Sequence, residues 1–198
     1  MTAEPIAGAA WPPDVESIEV RVGELKQLFN AMDPAPFNDR DLDPNAEQFI
    51  VEWARDVPAD RPLGLTVHLS RDRASVADTA ALQIAVREYF TQRAVGERRR
   101  LRRLFRVGRI SLVIGVLFVG VAIALGDLVV GLVGRYDYGQ ILADSLTIGA
   151  WVALWRPIEI FLYDWWPIRA EARLYDRLGA MPVRVLDAAP GSGGASRG

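Results

Sequence analysis

The 198-residue chain has no cysteine, a single histidine (His68) and a single lysine (Lys26). Without cysteine there is no disulfide framework, thiolate metal site, cysteine nucleophile or CxxC redox pair. A zinc centre would have to set carboxylates alone around one imidazole, which does not match the usual ligand sets, so neither a metal nor a cofactor is expected. The opening MTAEPIAGAAWPPDVE has no basic n-region and no long apolar core, so it reads as a disordered lead-in over 1–16 and not as a signal peptide. Also missing are GxSxG, a Walker loop, GxGxxG and HExxH. An enzyme, for instance one acting on lipids at an interface, would need an unfamiliar site, and no catalytic residue is assigned. The acidic run NDRDLD alternates Asp39, Asp41 and Asp43 as a calcium loop does, but Pro44 and Ile50 stand where that template requires Gly and Glu. Helix capping and loop solvation account for it better.

What is present is apolar and unevenly charged. The hydrophobic fraction is 51%, high for a soluble domain, and the excess lies after residue 109. The net charge of −2 divides into −8 over residues 1–80, +7 over 81–109 and −1 over the rest. Arginine supplies all but one of the 23 basic side chains, which with abundant Ala and Gly points to GC-rich coding and a bacterial source.

Between Arg109 and Asp127 lie 17 uncharged residues, ISLVIGVLFVGVAIALG, and the apolar run continues to Gly134. At about 1.5 Å per residue the uncharged part covers roughly 25 Å of a hydrocarbon core about 30 Å thick. A first transmembrane helix is therefore expected over 109–134. The second segment, ILADSLTIGAWVALWRPIEIFLY, has only 11 uncharged residues from Ser145 to Trp155, so a crossing over 141–164 must carry charge into the bilayer or its boundary. A short external loop, 135–140, would join the two as a hairpin.

Arginine placement sets the expected orientation. Arg98, Arg99, Arg100, Arg102, Arg103, Arg106 and Arg109 precede the first span, and Arg169, Arg173 and Arg177 follow the second, whereas the loop holds only Arg135. Positive residues flank the cytoplasmic side, so both termini are expected inside a bacterial inner membrane. The seven arginines before the first span, interleaved with Leu101, Leu104 and Phe105, suit anionic lipid headgroups and argue against nucleic acid as the partner. Trp155, Tyr163, Trp165 and Trp166 read as interfacial anchors.

The charges within the spans are candidates for function. Arg156 lies nine residues before Trp165, on the order of 13 Å deeper by helix rise, and Glu159 at i+3 can pair with it. Pro157 should kink the helix. Asp127 and Asp144 fall at similar depth near the outer end of an antiparallel hairpin, where a pair of carboxylates could share a proton or hold a cation. Small residues recur at Gly108, Ser111, Gly115, Ala122 and Gly126, and at Ser145, Gly149 and Ala153, a pattern that permits close helix approach or an oligomer contact.

The remainder reads as a small α+β domain built from both chain ends, with about three short strands. In SIEVRVG, Ile18, Val20 and Val22 share a face. A short helix follows at 24–30, and a second begins with Asp43 as N-cap and Pro44 at its first position, bearing a stripe of Phe49, Ile50, Trp53 and Ala54. PLGLTVHLS puts Leu63, Leu65, Val67 and Leu69 on one face and His68 on the other. A helix from about Ser75 runs without a strong breaker into the first span, so the N-terminal domain spans 17–108. After the second span, 165–188 holds a helix stopped by Gly179 and a strand, MPVRVLD, that should join the N-terminal sheet. A flexible tail is expected over 189–198.

EVRVGELKQLFNAMDPAPFNDRDLDPNAEQFIVEWARD together with FLYDWWPIRAEARLYDRLGAMPVRV resembles a family of uncharacterised bacterial membrane proteins with two spans and no assigned activity. The resemblance covers most of the chain and implies an integral membrane protein. It supplies no functional residues. The leading expectation is an interaction or scaffold protein with an unidentified protein partner or a homo-oligomeric state. The alternative is an oligomeric ion or proton pathway built on Arg156, Glu159, Asp127 and Asp144.

Overall fold

The computed structural model describes residues 11–30, 41–71, 75–133 and 137–187. The chain runs β1 (Glu16–Val22), a 3-10 turn (Leu25–Leu28), α1 (Pro44–Asp56), β2 (Leu63–Leu69), α2 (Val76–Val133), α3 (Asp137–Glu159), a π turn (Ile160–Asp164), α4 (Trp165–Ala180) and β3 (Val183–Asp187). It forms two compact units, one made of residues up to Val95 with those from Ala172 onward, the other of Gly96–Glu171.

In the first unit the strands form one sheet in the order β1-β2-β3, both pairings parallel, with Ile18 beside Leu65 and Leu65 beside Val183. Parallel neighbours cannot be joined by a tight turn and need a crossover. The first crossover carries α1. The second is the whole stretch from α2 to α4, so β3 returns to the central strand after more than half the chain, and MPVRVLD joins the sheet as its pattern indicates. Ile18, Leu65, Val67 and Val183 meet Ile50 and Ala54 of α1, Leu82, Val86 and Phe90 of α2, and Leu178 of α4 in one core. Burying side chains of this size stabilises by about 1.5–3 kcal/mol each.

Several local devices hold these elements. Asp43 caps α1 by accepting from the backbone N–H groups of Asn45 (2.9 Å) and Ala46 (3.4 Å). Ser75 and Asp78 cap α2 reciprocally: the Ser75 N–H donates to the Asp78 carboxylate at 2.9 Å, and the Asp78 N–H donates to Ser75 Oγ at 3.1 Å. The Ser75 N–H and, after it, the Ser75 hydroxyl, which donates to the same carboxylate at 2.7 Å, hold the Asp78 carboxyl below its ordinary value. Gln83 pins β3 to α2, donating to the Met181 carbonyl (3.0 Å) and accepting from the Val183 N–H (2.6 Å).

Three features differ from the sequence reading. The lead expected over 1–16 is ordered from Trp11 onward; its residues before Trp11, like the tail over 189–198, lie outside the described residues. The Trp11 indole donates to Thr66 Oγ1 (2.9 Å), and the Arg184 guanidinium stacks over its ring at 3.6 Å. Gly64 makes room for it, since a Cβ there would meet the indole at 2.9 Å. Gly179 does not stop the last helix, which runs to Ala180; a Cβ at 179 would press on Thr91 Oγ1 at 3.2 Å, so this glycine allows α4 to approach α2. In α1 the buried stripe is Ile50, Val51 and Ala54, while Phe49 and Trp53 remain 45% and 44% exposed.

In the second unit α2 continues unbroken from the basic stretch into its apolar stretch, and α3, the π turn and α4 form one helical run. Of the loop expected at 135–140, residues 137–140 belong to α3, which begins at Asp137; residues 134–136 lie outside the described residues. Among the described residues, two helices are long and apolar enough to cross a membrane. Their most apolar windows have mean hydropathy 2.6 and 1.2 and are each only 17% buried, whereas a core helix of that length in a water-soluble protein would be mostly buried. The two helical runs touch where Cβ atoms are missing: a Cβ at Gly108 would lie 2.9 Å from Ile160 Cγ2, and one at Gly115 would lie 2.9 Å from Leu154 Cδ2. The higher number pairs with the lower, so they run antiparallel there.

Candidate functional site

Arg156 closes the last turns of α3. Its guanidinium donates to the Glu159 carboxylate at 2.9 Å, the i+3 partner expected from the spacing, and lies 3.3 Å from Asp164. Asp164 was not legible as a partner, because eight residues separate it from Arg156 and the π turn Ile160–Asp164 changes the helical phase between them. The wide turn sits between two prolines. Pro157 lies within α3, and Pro167 at the start of α4 cannot donate to the Tyr163 carbonyl four residues back. Between them the hydrogen-bond ladder widens over Ile160–Asp164. Trp165 repairs part of it, its indole donating to the Phe161 carbonyl at 2.9 Å.

The expected interfacial aromatics separate into two sets. Trp155, Tyr163 and Trp166 face outward, with 60–69% exposure. Trp165 instead packs against Phe105 of α2, which also stacks on Phe161, and Arg169 lies 5.7 Å from the Trp165 ring centroid.

A groove of roughly 510 Å³ joins these parts. Arg100 and Arg103 line it from α2, and Arg156, Tyr163 and Asp164 from the opposing run, with an apolar wall that includes Leu104, Val107, Ile160 and Ile168. The folded chain thus brings together two arginines of the basic stretch and Arg156 of α3, which are more than fifty residues apart in sequence. Arg98, Arg99, Arg102, Arg106 and Arg109 do not line it; all five are exposed, and Arg109 donates to the Phe105 carbonyl at 3.3 Å. Arg100 lies 3.5 Å from Glu97. Arg103 has no ion-pair partner among the described residues.

A second groove of about 390 Å³ adjoins the first, sharing Ser111 and Arg156 with it. It is otherwise apolar, formed by Ile114, Gly115, Phe118, Ala153 and Pro157. Asp127 and Asp144 both face outward and line neither groove. Among the described residues no three His, Asp or Glu side chains gather as a metal site.

In the first unit, Glu47 of α1 takes a hydrogen bond from the Tyr89 hydroxyl at 2.5 Å and pairs with Arg93, both on α2. Burial, and after it the bond to Glu47, push the Tyr89 phenol well above its ordinary value. The arrangement clamps two helices together. His68 lies 3.5 Å from the Glu19 carboxylate on the face of the sheet turned away from the core. Comparison with described protein families, with curated proteins and with solved structures finds no match for this chain.

Proposed function

We propose that this chain is an integral protein of a bacterial inner membrane, crossing twice with both termini in the cytoplasm, and that it serves as a scaffold whose parallel-sheet unit docks a protein partner. Its two outward-facing apolar helices support the membrane reading, and the arginines on either side of them support the orientation. The resemblance to two-span proteins without assigned activity points the same way.

The observation that carries the docking role is on α1. Phe49 and Trp53 stand one turn apart with ring centroids 6.2 Å from each other, while the opposite side of the helix is spent on the core. Exposed aromatic pairs of this kind are enriched at the centres of protein interfaces. The competing ion-pathway reading has less to stand on. Arg156 already holds two carboxylates, and Asp127 and Asp144 line neither groove that Arg156 lines.

The test is the mass and composition of the complex released gently from its native membrane, for the unaltered chain and for the double variant Phe49→Ala/Trp53→Ala. A stoichiometric foreign subunit that the variant loses, with its melting unchanged, is the expected result. A closed homo-oligomer with nothing else bound, or a subunit indifferent to the variant, would overturn the docking role. In that case ion flux altered by Glu159→Gln becomes the reading to pursue.

A further inference from the structure

We infer that the paired grooves of the Gly96–Glu171 unit form a binding site for one anionic phospholipid, with its phosphate against Arg100 and Arg103 and an acyl chain in the apolar groove beyond Ser111. This rests on the membrane reading above and goes further, because it replaces diffuse attraction to headgroups with one site of defined composition.

Three observations converge on it. The first is charge. The larger groove is lined by three guanidinium groups and one carboxylate; Arg156 and Arg100 have carboxylate partners, and Arg103 has no anion paired with it among the described residues. Guanidinium groups suit a phosphodiester because they offer paired donors in a planar fork. The second is orientation within the groove. Arg156 is held from one side by Glu159 and Asp164, and Arg100 lies 3.5 Å from Glu97, which leaves Arg103 as the unpaired contact, with Arg100 one helical turn away on α2 beside it. The Tyr163 hydroxyl and Ser111 supply neutral hydrogen-bonding groups on the same lining.

The third observation selects the occupant. The charged groove adjoins the apolar one, with Ser111 and Arg156 lining both, and Gly115 lines the second where the two helical runs touch. A free phosphate or a soluble anion would use only the charged part. An amphiphile uses both, and the direction agrees with a bilayer: the charged part adjoins the basic stretch before the first span, while Ile114 and Phe118 lie further along α2 toward its apolar middle.

The test uses the full chain purified in mild detergent and reconstituted into phosphatidylcholine bilayers with or without a minor fraction of phosphatidylglycerol. Native mass spectrometry then counts retained lipid. The expected result is one phosphatidylglycerol per chain, bound about tenfold or more weaker in Arg100→Gln/Arg103→Gln. It should be unchanged in Arg98→Gln/Arg99→Gln, which removes the same charge outside the groove. Equal losses in the two variants would mean attraction to the basic stretch as a whole and would overturn the site. Displacement of the lipid by millimolar inorganic phosphate, or equal retention of short- and long-chain phosphatidylglycerol, would reduce it to an anion site without the acyl groove. Flotation of the unaltered chain with the vesicles is scored separately. A chain that fails to float sinks the membrane reading itself, whereas a chain that floats and holds no lipid sinks only this inference.

Discussion

Alanine substitution along the glycines of α2 should separate close contact from mere helix propensity. A glycine inside a helix costs about 0.5–1 kcal/mol relative to alanine, so at an open position the change to alanine should stabilise by that amount. Gly120 is such a position, with nothing within 4 Å of its missing Cβ. At Gly108 the new methyl would sit 2.9 Å from Ile160 Cγ2. That methyl is attached directly to the Ile160 Cβ, and a β-branched side chain in a helix has essentially one χ1 rotamer, so it cannot swing aside. Forcing a methyl into such a contact costs about 1–3 kcal/mol, which leaves Gly108→Ala destabilising by about 0.5–2 kcal/mol after the propensity gain. At Gly115 the clash is with Leu154 Cδ2, the far end of a flexible chain, so the two effects should nearly cancel. The assay is detergent-driven unfolding of the full chain in mixed micelles, followed by tryptophan fluorescence, because Trp151, Trp155, Trp165 and Trp166 all report on the opposing helical run. Gly108→Ala matching Gly120→Ala, or stabilising more than Gly115→Ala, would refute the packing argument.

Three further predictions concern the first unit. Glu47→Ala leaves the partly buried Tyr89 hydroxyl without its acceptor and should cost about 1.5–3 kcal/mol, most of it from that charge-assisted bond because Arg93 is half exposed; thermal unfolding monitored by hydrogen exchange in α1 checks it. Because folding raises the Tyr89 pKa, its contribution is complete below the unfolded value of about 10 and is lost as pH rises from there toward the higher folded value. Tyr89→Phe should flatten that alkaline fall in stability, and an unchanged profile would count against the clamp. Trp11→Ala removes a half-buried indole, its bond to Thr66 and its stacking with Arg184, and should cost about 1.5–2.5 kcal/mol, roughly half the loss for a fully buried Trp. A melting temperature unchanged in that variant would show that the indole is not part of the folded unit.

What the sequence determined by itself is what repeats locally. Alternation in SIEVRVG and GLTVHL placed the strand faces, Asp43 with Pro44 marked the start of α1, and the uncharged run after Arg109 marked a helix fit for a membrane, since each rests on near neighbours along the chain. The i+3 spacing was likewise enough to pair Arg156 with Glu159. The tertiary structure decided whatever depends on which distant surfaces meet. It set the parallel order of three strands, with β3 returning beside β2 across the longest connection in the chain. It turned Trp11 from lead-in to cover for the sheet, and turned Phe49 and Trp53 outward although their spacing read as a buried stripe. A helical period shows that one side is apolar but not how far around the helix its neighbours reach, and that limit decided α1. The groove has the same origin: Arg100, Arg103 and Arg156 converge only because two glycines let the helices close and a π turn carries Asp164 round to Arg156, and neither effect has a local spacing in the sequence to announce it.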